Sequence, residues 1–189
     1  TGVGEWFQTN VKYEGRRYGA AVSYYQGKYY IAGGVCDGYP TTSNLLTQNF
    51  STAATSHNVT MPSSVDSGDL LLVLFTNDGT ATVTTPSGWT AVTNGSQTGN
   101  GQVRGSVFAK SAGGTEDGTN VDFVISASEE GAAQVYRIKK GEWSGTITEV
   151  EAANSGDPAA TSSTPNPPNL NPTGWGKENT LWLSYVAGS

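Results

Sequence analysis

A chain of 189 residues with ten basic and sixteen acidic side chains carries a formal charge of −6. It is repelled by nucleic acid and anionic membrane surfaces, because Arg16-Arg17 and Lys139-Lys140 are its only basic doublets and make no groove. Charged residues are 14% of the total and hydrophobic ones 35%, which excludes charge-driven disorder. The abundant Thr, Ser, Asn and Gly, none a strong helix former, exclude a helical bundle and point to an all-β protein with a hydroxyl-rich surface.

Residues 18–23 and 28–32 read as two strands joined by a tight turn at Gln26-Gly27, ended by Gly33-Gly34 and Asp37-Gly38-Tyr39-Pro40. Tyr13, Tyr18, Tyr24, Tyr25, Tyr29 and Tyr30 crowd this hairpin. A lone two-stranded unit has no second layer to bury them, so some of these rings are expected to be buried by the main domain, by missing chain or by a neighbouring subunit, with Tyr24, Tyr25, Tyr29 and Tyr30 the candidates for assembly contact. Cys36 is the only cysteine; it forms no intrachain disulfide and reads as a small residue beside a turn. Residues 41–55 read as a polar connector. A boundary near Phe50 divides a Tyr-rich segment, residues 1–50, from a main domain, residues 51–189.

In the main domain, strand signals recur between turns rich in Gly, Asn, Asp or Pro. Residues 57–61 are followed by a turn over 62–68 and a buried run over 69–76. Asn77-Asp78-Gly79 turns into an alternating strand over 80–85, and Pro86-Ser87-Gly88 into another over 89–93. Residues 94–101 read as an exposed polar loop. Residues 102–110 place Val103, Val107 and Ala109 on one face, and residues 120–127 place Val121, Phe123 and Ile125 inward. Further strands are expected over 133–139, 146–152 and 179–186, the last with Leu181, Leu183 and Tyr185 on one face. Pro158, Pro165, Pro167, Pro168 and Pro172 mark an extended loop. No segment shows helical periodicity, and the longest apolar run, residues 70–75, is far too short to span a bilayer. The pattern predicts an antiparallel β-sandwich of jelly-roll type, preceded by an aromatic hairpin.

Catalytic chemistry finds little support. One His and one Cys cannot build a clustered zinc site. Gly141-Glu142-Trp143-Ser144-Gly145 sets Ser one place too late for a nucleophile elbow, and no phosphate-binding loop occurs. Glu129-Glu130 and Glu116-Asp117 are adjacent residues that point to opposite faces of a strand. Glu149 and Glu151 would share a face but read as solvent-side residues. The Asp/Asn/Gly groups at 66–69 and 77–79 could meet calcium but match β-turns equally well. No enzymatic activity, cofactor or metal is expected. Asn49-Phe50-Ser51, Asn58-Val59-Thr60 and Asn94-Gly95-Ser96 match the glycan-acceptor pattern, which matters only in a host that glycosylates.

Among Trp6, Trp89, Trp143, Trp175 and Trp182, Trp175 is the best candidate for stacking on a sugar ring. It lies in Pro172-Thr173-Gly174-Trp175-Gly176, and the polar residues Asn94, Gln97 and Asn100 are further candidates for glycan or receptor contact. Trp182 alternates with Leu181 and Leu183, so it is expected on the opposite sheet face or against another subunit.

Arg17 to Val22, then Gly27-Lys28-Tyr29-Tyr30-Ile31-Ala32-Gly33-Gly34 and Asp37-Gly38, resemble a single kelch repeat. A propeller needs several copies, so the resemblance implies a local hairpin or the edge of a truncated neighbour. From about Ala54 onward the chain resembles a β-sandwich module of tailed-phage virion proteins. The residues that carry this are Val65-Asp66-Ser67-Gly68-Asp69-Leu70-Leu71-Leu72-Val73, Pro86-Ser87-Gly88-Trp89-Thr90 and Ser126-Ala127-Ser128-Glu129-Glu130. They continue with Val135-Tyr136-Arg137-Ile138, Pro165-Asn166-Pro167-Pro168-Asn169-Leu170 and Trp175-Gly176-Lys177-Glu178-Asn179-Thr180-Leu181-Trp182. These are turn and core residues without a catalytic motif, and the resemblance implies a sandwich cut short at its C-terminus. It implies a structural or adhesive module of a tail fibre, spike or capsid decoration, on a virion or other extracellular surface. Its partners would be copies of itself or other virion or filament subunits and a cell-surface glycan, not nucleic acid or a membrane interior. A bacterial or archaeal filament subunit, adhesin or carbohydrate-binding module is the alternative.

Overall fold

A computed structural model describes residues 17–18, 21–25, 28–32, 35–36, 40–97, 102–153, 169–174 and 180–185. Among them the protein is all-β and antiparallel, with one 3₁₀ turn, Ile147–Glu149, as its only helical element. The first four strands are β1 (Arg17–Tyr18), β2 (Ala21–Tyr25), β3 (Lys28–Ala32) and β4 (Val35–Cys36). β2 pairs with β3, and β1 with β4. Arg17 faces Cys36, Ala21 faces Ala32 and Tyr25 faces Lys28, so the two ladders keep a single register and form successive parts of one hairpin. Its outer rung lies beyond the strands expected from sequence.

The remaining strands are β5 (Thr42–Thr60), β6 (Leu70–Asp78), β7 (Thr90–Gln97), β8 (Val103–Ser111) and β9 (Asn120–Ile138). They form one five-stranded sheet in the order β5-β9-β6-β8-β7. β6 is central, and its run Leu70–Phe75 is apolar because it is buried on both faces. Leu71, Val73 and Phe75 enter the main core. Leu70 and Leu72 form a second cluster with Ala109 and Ile138, covered by Trp143, Ile147, Val150 and Leu181.

β5 and β9 are each 19 residues long, and both bend. Their register shifts between Ser43 and Leu46, between Phe50 and Ala54 and between Ala54 and Ser56, the last two opposite residues 125–130 of β9. Beyond the bend, β9 leaves β6: residues 131–138 pair with β6, whereas residues 120–124 pair only with β5. Such bulges kink a strand and increase its twist. The kink carries Val59, Phe123 and Ile125 over the inner face of β6 and β8, into one core with Val73, Phe75 and Phe108. The Phe123 ring stacks on Phe75 at 5.3 Å and meets Phe108 and Trp89 edge-on at 5.2 and 6.1 Å. Gly131 leaves room at the kink, since a Cβ there would meet the Thr76 carbonyl at 3.0 Å and the His57 ring at 3.5 Å.

Several expectations need correction. Residues 41–55 are not a connector; most of them belong to β5, which runs without interruption past Phe50, and Leu46 and Phe50 pack on the main core. Thr, Ser and Asn are tolerated there because β5 lies at the sheet edge with half of its side chains in solvent. The strands expected over 120–127 and 133–139 are a single strand, since the polar stretch between them is the kink. Residues 94–97 belong to β7 and not to a loop. Residues 80–85 make only a bridge from Val83 to Ile125, although Ala81 and Val83 are buried as alternation requires. Residues 146–152 contain the 3₁₀ turn in place of a strand. Residues 180–185 form no strand either; the segment lies over the outer sheet face, where Leu181 is half-buried and Leu183 is 38% exposed.

Phe123 is fully buried where the two arms of the bent sheet meet. Phe123→Ala is expected to destabilise the fold by about 3–5 kcal/mol in urea unfolding, the usual cost of emptying such a site. A change below ~1 kcal/mol would mean that this contact does not join the arms.

Candidate functional site

Three polar clusters stand out, each at a turn that the sheet brings against a strand. In the first, Asp69 closes the turn before β6 and is 1% exposed. Its Oδ2 accepts hydrogen bonds from Arg137 Nε at 2.5 Å and from the Asp66 amide at 2.8 Å, while Oδ1 accepts from the Lys140 amide at 2.8 Å. Arg137 Nη2 also donates to the exposed Asp66 carboxylate at 2.7 Å. Burial alone would push the Asp69 carboxyl up, but the two amides and the guanidinium outweigh it and hold it below its usual range. Both acids here are committed to Arg137, which accounts for the 66–69 group without calcium.

In the second cluster, Glu116 is 6% exposed and folds back on its own Gly113-Gly114-Thr115 turn. Oε1 accepts from the Gly113 amide at 3.0 Å, and Oε2 from the Gly114 and Thr115 amides, each at 2.9 Å. Lys110 on β8 reaches Oε1 at 2.9 Å. Burial again raises this carboxyl, yet the Gly113 amide, the Lys110 ammonium and the Thr115 amide bring it from 4.5 to about 2.

The third cluster holds the C-terminal end of β6. Asn77 is fully buried, and its Nδ2 donates to the Asp78 and Ala81 carbonyls and to the Glu129 carboxylate. Its Oδ1 has no partner. Gly79 has φ +73°, and a Cβ there would collide with the Glu129 carboxylate. His57 is 3% exposed, with Nε2 at 3.0 Å from the Glu129 carbonyl and its ring stacked on Phe50 at 4.8 Å. These groups organise turns and the kink. None is presented to an open cleft with a second catalytic group.

Two open depressions have mostly uncharged walls. One lies between Thr90, Ala91 and Val92 of β7 and Ile147 to Ala152; the other lies where Ser184 and Tyr185 cross Thr47, Leu74 and Gln134. Tyr185 is seated there over Gly105, whose absent Cβ leaves space for the phenol oxygen. Burial raises the Tyr185 phenol to about 12.

Of the residues singled out from sequence, Trp182 is 58% exposed and stands beside Leu183. Trp175 and Asn100 lie outside the described residues. Asn94 and Gln97 occupy the far end of edge strand β7, where their backbones face Ser106 and Val103. Tyr24 faces Tyr29, Tyr25 faces Lys28 and Tyr30 faces Ser23 in the hairpin register; the side chains of these four tyrosines, of Asn94 and of Gln97 lie outside the description. No side-chain contact brings these positions together among the described residues. Glu149 and Glu151 form no pair, since Glu149 is exposed on the 3₁₀ turn and Glu151 accepts from the Thr173 amide at 2.8 Å. The sequence reading missed the Asp69–Arg137 and Glu116–Lys110 pairs. Their local signal was a carboxylate beside a glycine turn, but the cationic partner is remote in sequence for the first pair.

No model of a known protein family, no curated protein and no solved structure matches this chain.

Because the Glu116 carboxyl titrates lower in the folded protein than in the unfolded chain, its contribution is complete above about pH 4.5. It is lost as the pH falls toward 2. Between pH 5 and pH 2 the wild type is expected to lose on the order of 2–3 kcal/mol more unfolding free energy than Glu116→Gln. Parallel pH profiles for the two proteins would deny this carboxylate its role.

Proposed function

We propose that the chain is a non-enzymatic structural and adhesive module of a tailed-phage virion, in a tail fibre, spike or capsid decoration. It assembles with copies of itself and turns polar and aromatic loops outward. The observation that carries the reading is how the molecule deploys its side chains. The buried Asp69, Glu116, Arg137 and His57 are engaged in holding turns and strands, while Trp182, Leu183 and Leu45 stand in solvent. Large apolar residues at a surface mark sites of contact with other molecules when they cluster, as Trp182 and Leu183 do in sequence. A surface of Thr, Ser and Asn keeps such a particle soluble and supplies hydrogen bonds to glycans. The virion setting rests on the resemblance of residues 54–189 to phage modules.

Native mass spectrometry of the 189-residue chain is expected to show a stable homo-oligomer. On an array of bacterial surface glycans, binding is expected without release of reducing sugar, and Trp175→Ala should abolish it. A chain that stays monomeric at every concentration, or one that liberates reducing sugar, would overturn the proposal.

A further inference from the structure

The two outermost strands of the sheet, β5 and β7, contain no Asp, Glu, Lys, Arg or Pro. The strand-borne charges of this sheet all lie on the inner three: Asp78 on β6, Arg104 and Lys110 on β8, and Asp122, Glu129, Glu130 and Arg137 on β9. This inverts the usual arrangement, in which edge strands carry charges or proline to prevent pairing with other chains.

The two edges are not equivalent. Ile147, Thr148, Val150, Glu151 and Ala152 border an open depression together with Thr90, Ala91 and Val92 of β7, and Val92 packs into the same cluster as Ile147 and Val150. On β5, the arm beyond the kink is closed at Thr60, where the Gln48 amide donates to the Thr60 carbonyl at 2.9 Å and accepts from its N–H at 2.8 Å. That side chain occupies the place of a neighbouring strand. On the other arm, residues 42–50, Ser184 and Tyr185 lie against Thr47, but among the described residues no strand pairs along the edge, and Leu45 is 52% exposed.

We infer that the free edge of β5 over residues 42–50 is a homodimer interface, at which two copies pair β5 to β5 antiparallel about a twofold axis and continue the sheet. This rests on reading the chain as an assembling module and supplies the surface. A second copy fits for two reasons. Every pairing in the sheet is antiparallel across five strands, so β5 and β7 run in the same direction. Head-to-tail addition of β7 to β5 would therefore need a parallel ladder. A twofold axis repeats the antiparallel ladder instead, the slightly more stable type. In self-pairing, moreover, the segment meets its own sequence, so any charge would lie near its copy and repel it. An uncharged edge on a chain of net charge −6 is where two copies approach with least repulsion.

Sedimentation equilibrium of the 189-residue chain tests this with Leu45→Lys/Asn49→Lys, two exposed positions on β5, and Thr90→Lys/Ala91→Lys, two exposed positions on β7. The β5 variant is expected to lose half of the wild-type mass with an unchanged circular dichroism spectrum, and the β7 variant to keep the full mass. Hydrogen exchange on the wild type needs no substitution. Amides of residues 42–50 should be protected in the dimer and lose that protection on dilution, whereas residues 70–78 should not change. A wild-type monomer, as when another segment of the same chain covers β5, overturns both this inference and the assembling-module reading. An oligomer that survives the β5 substitutions, or whose 42–50 amides exchange equally fast on dilution, overturns this inference alone.

Discussion

The structure depends on one constraint: a sheet whose inner face is apolar must bury that face, and here it does so by folding over itself. The shared kink of β5 and β9 turns one continuous ladder into two facing arms. Phe123, carried by β9 beyond the kink, fills the space above Phe75 and Phe108. If β9 were straight, Phe123 and Ile125 would extend past the end of β6, and Val73, Phe75 and Phe108 would face water. Each such side chain stabilises the fold by about 1.5–3 kcal/mol when buried, so the kink organises most of the core. Gly131 and the bond between His57 and the Glu129 carbonyl sit at that kink and shape it.

The buried charges follow from the same geometry. Bringing the turns before β6 and after β8 against neighbouring strands removes Asp69 and Glu116 from water, and an unpaired carboxylate there would be costly. Each recovers its solvation from backbone amides and one cation. Such pairs are a weak source of net stability but they penalise any other arrangement of the turns. Among the described residues the buried charges thus fix the geometry of these turns.

An uncharged edge and an exposed Trp182 are both liabilities for an isolated soluble chain, and both suit a subunit. β5 bounds one side of the sheet, whereas residues 180–185 cross its outer face and reach β5 at Thr47. An assembling module can use the first for lateral pairing and the second for contact with another layer. The hairpin of β1 to β4 adds a further tyrosine-rich element.

Much of this was legible in the sequence. The excess of Thr, Ser, Asn and Gly announced an all-β chain, the apolar run 70–75 announced a buried strand, and alternation around Phe123 identified inward residues, whereas that around Val107 picked out the outer face and passed over Phe108 in the main core. These are local properties, set by backbone preference and a period of two. Composition misled where tertiary position governs. Residues 41–55 look like a connector because edge strands admit polar residues, and 128–132 look like a break because the kink leaves Ser128 and Glu130 in solvent. Residues 146–152 and 180–185 have strand-like alternation, yet they lie over the outer face without pairing. The sequence by itself determined which residues prefer extended structure and which must be buried. Only the tertiary structure decided which strands lie at the edges, which carboxylate meets which cation, and that one sheet supplies both walls of its own core, because those outcomes depend on pairing between residues far apart in the chain.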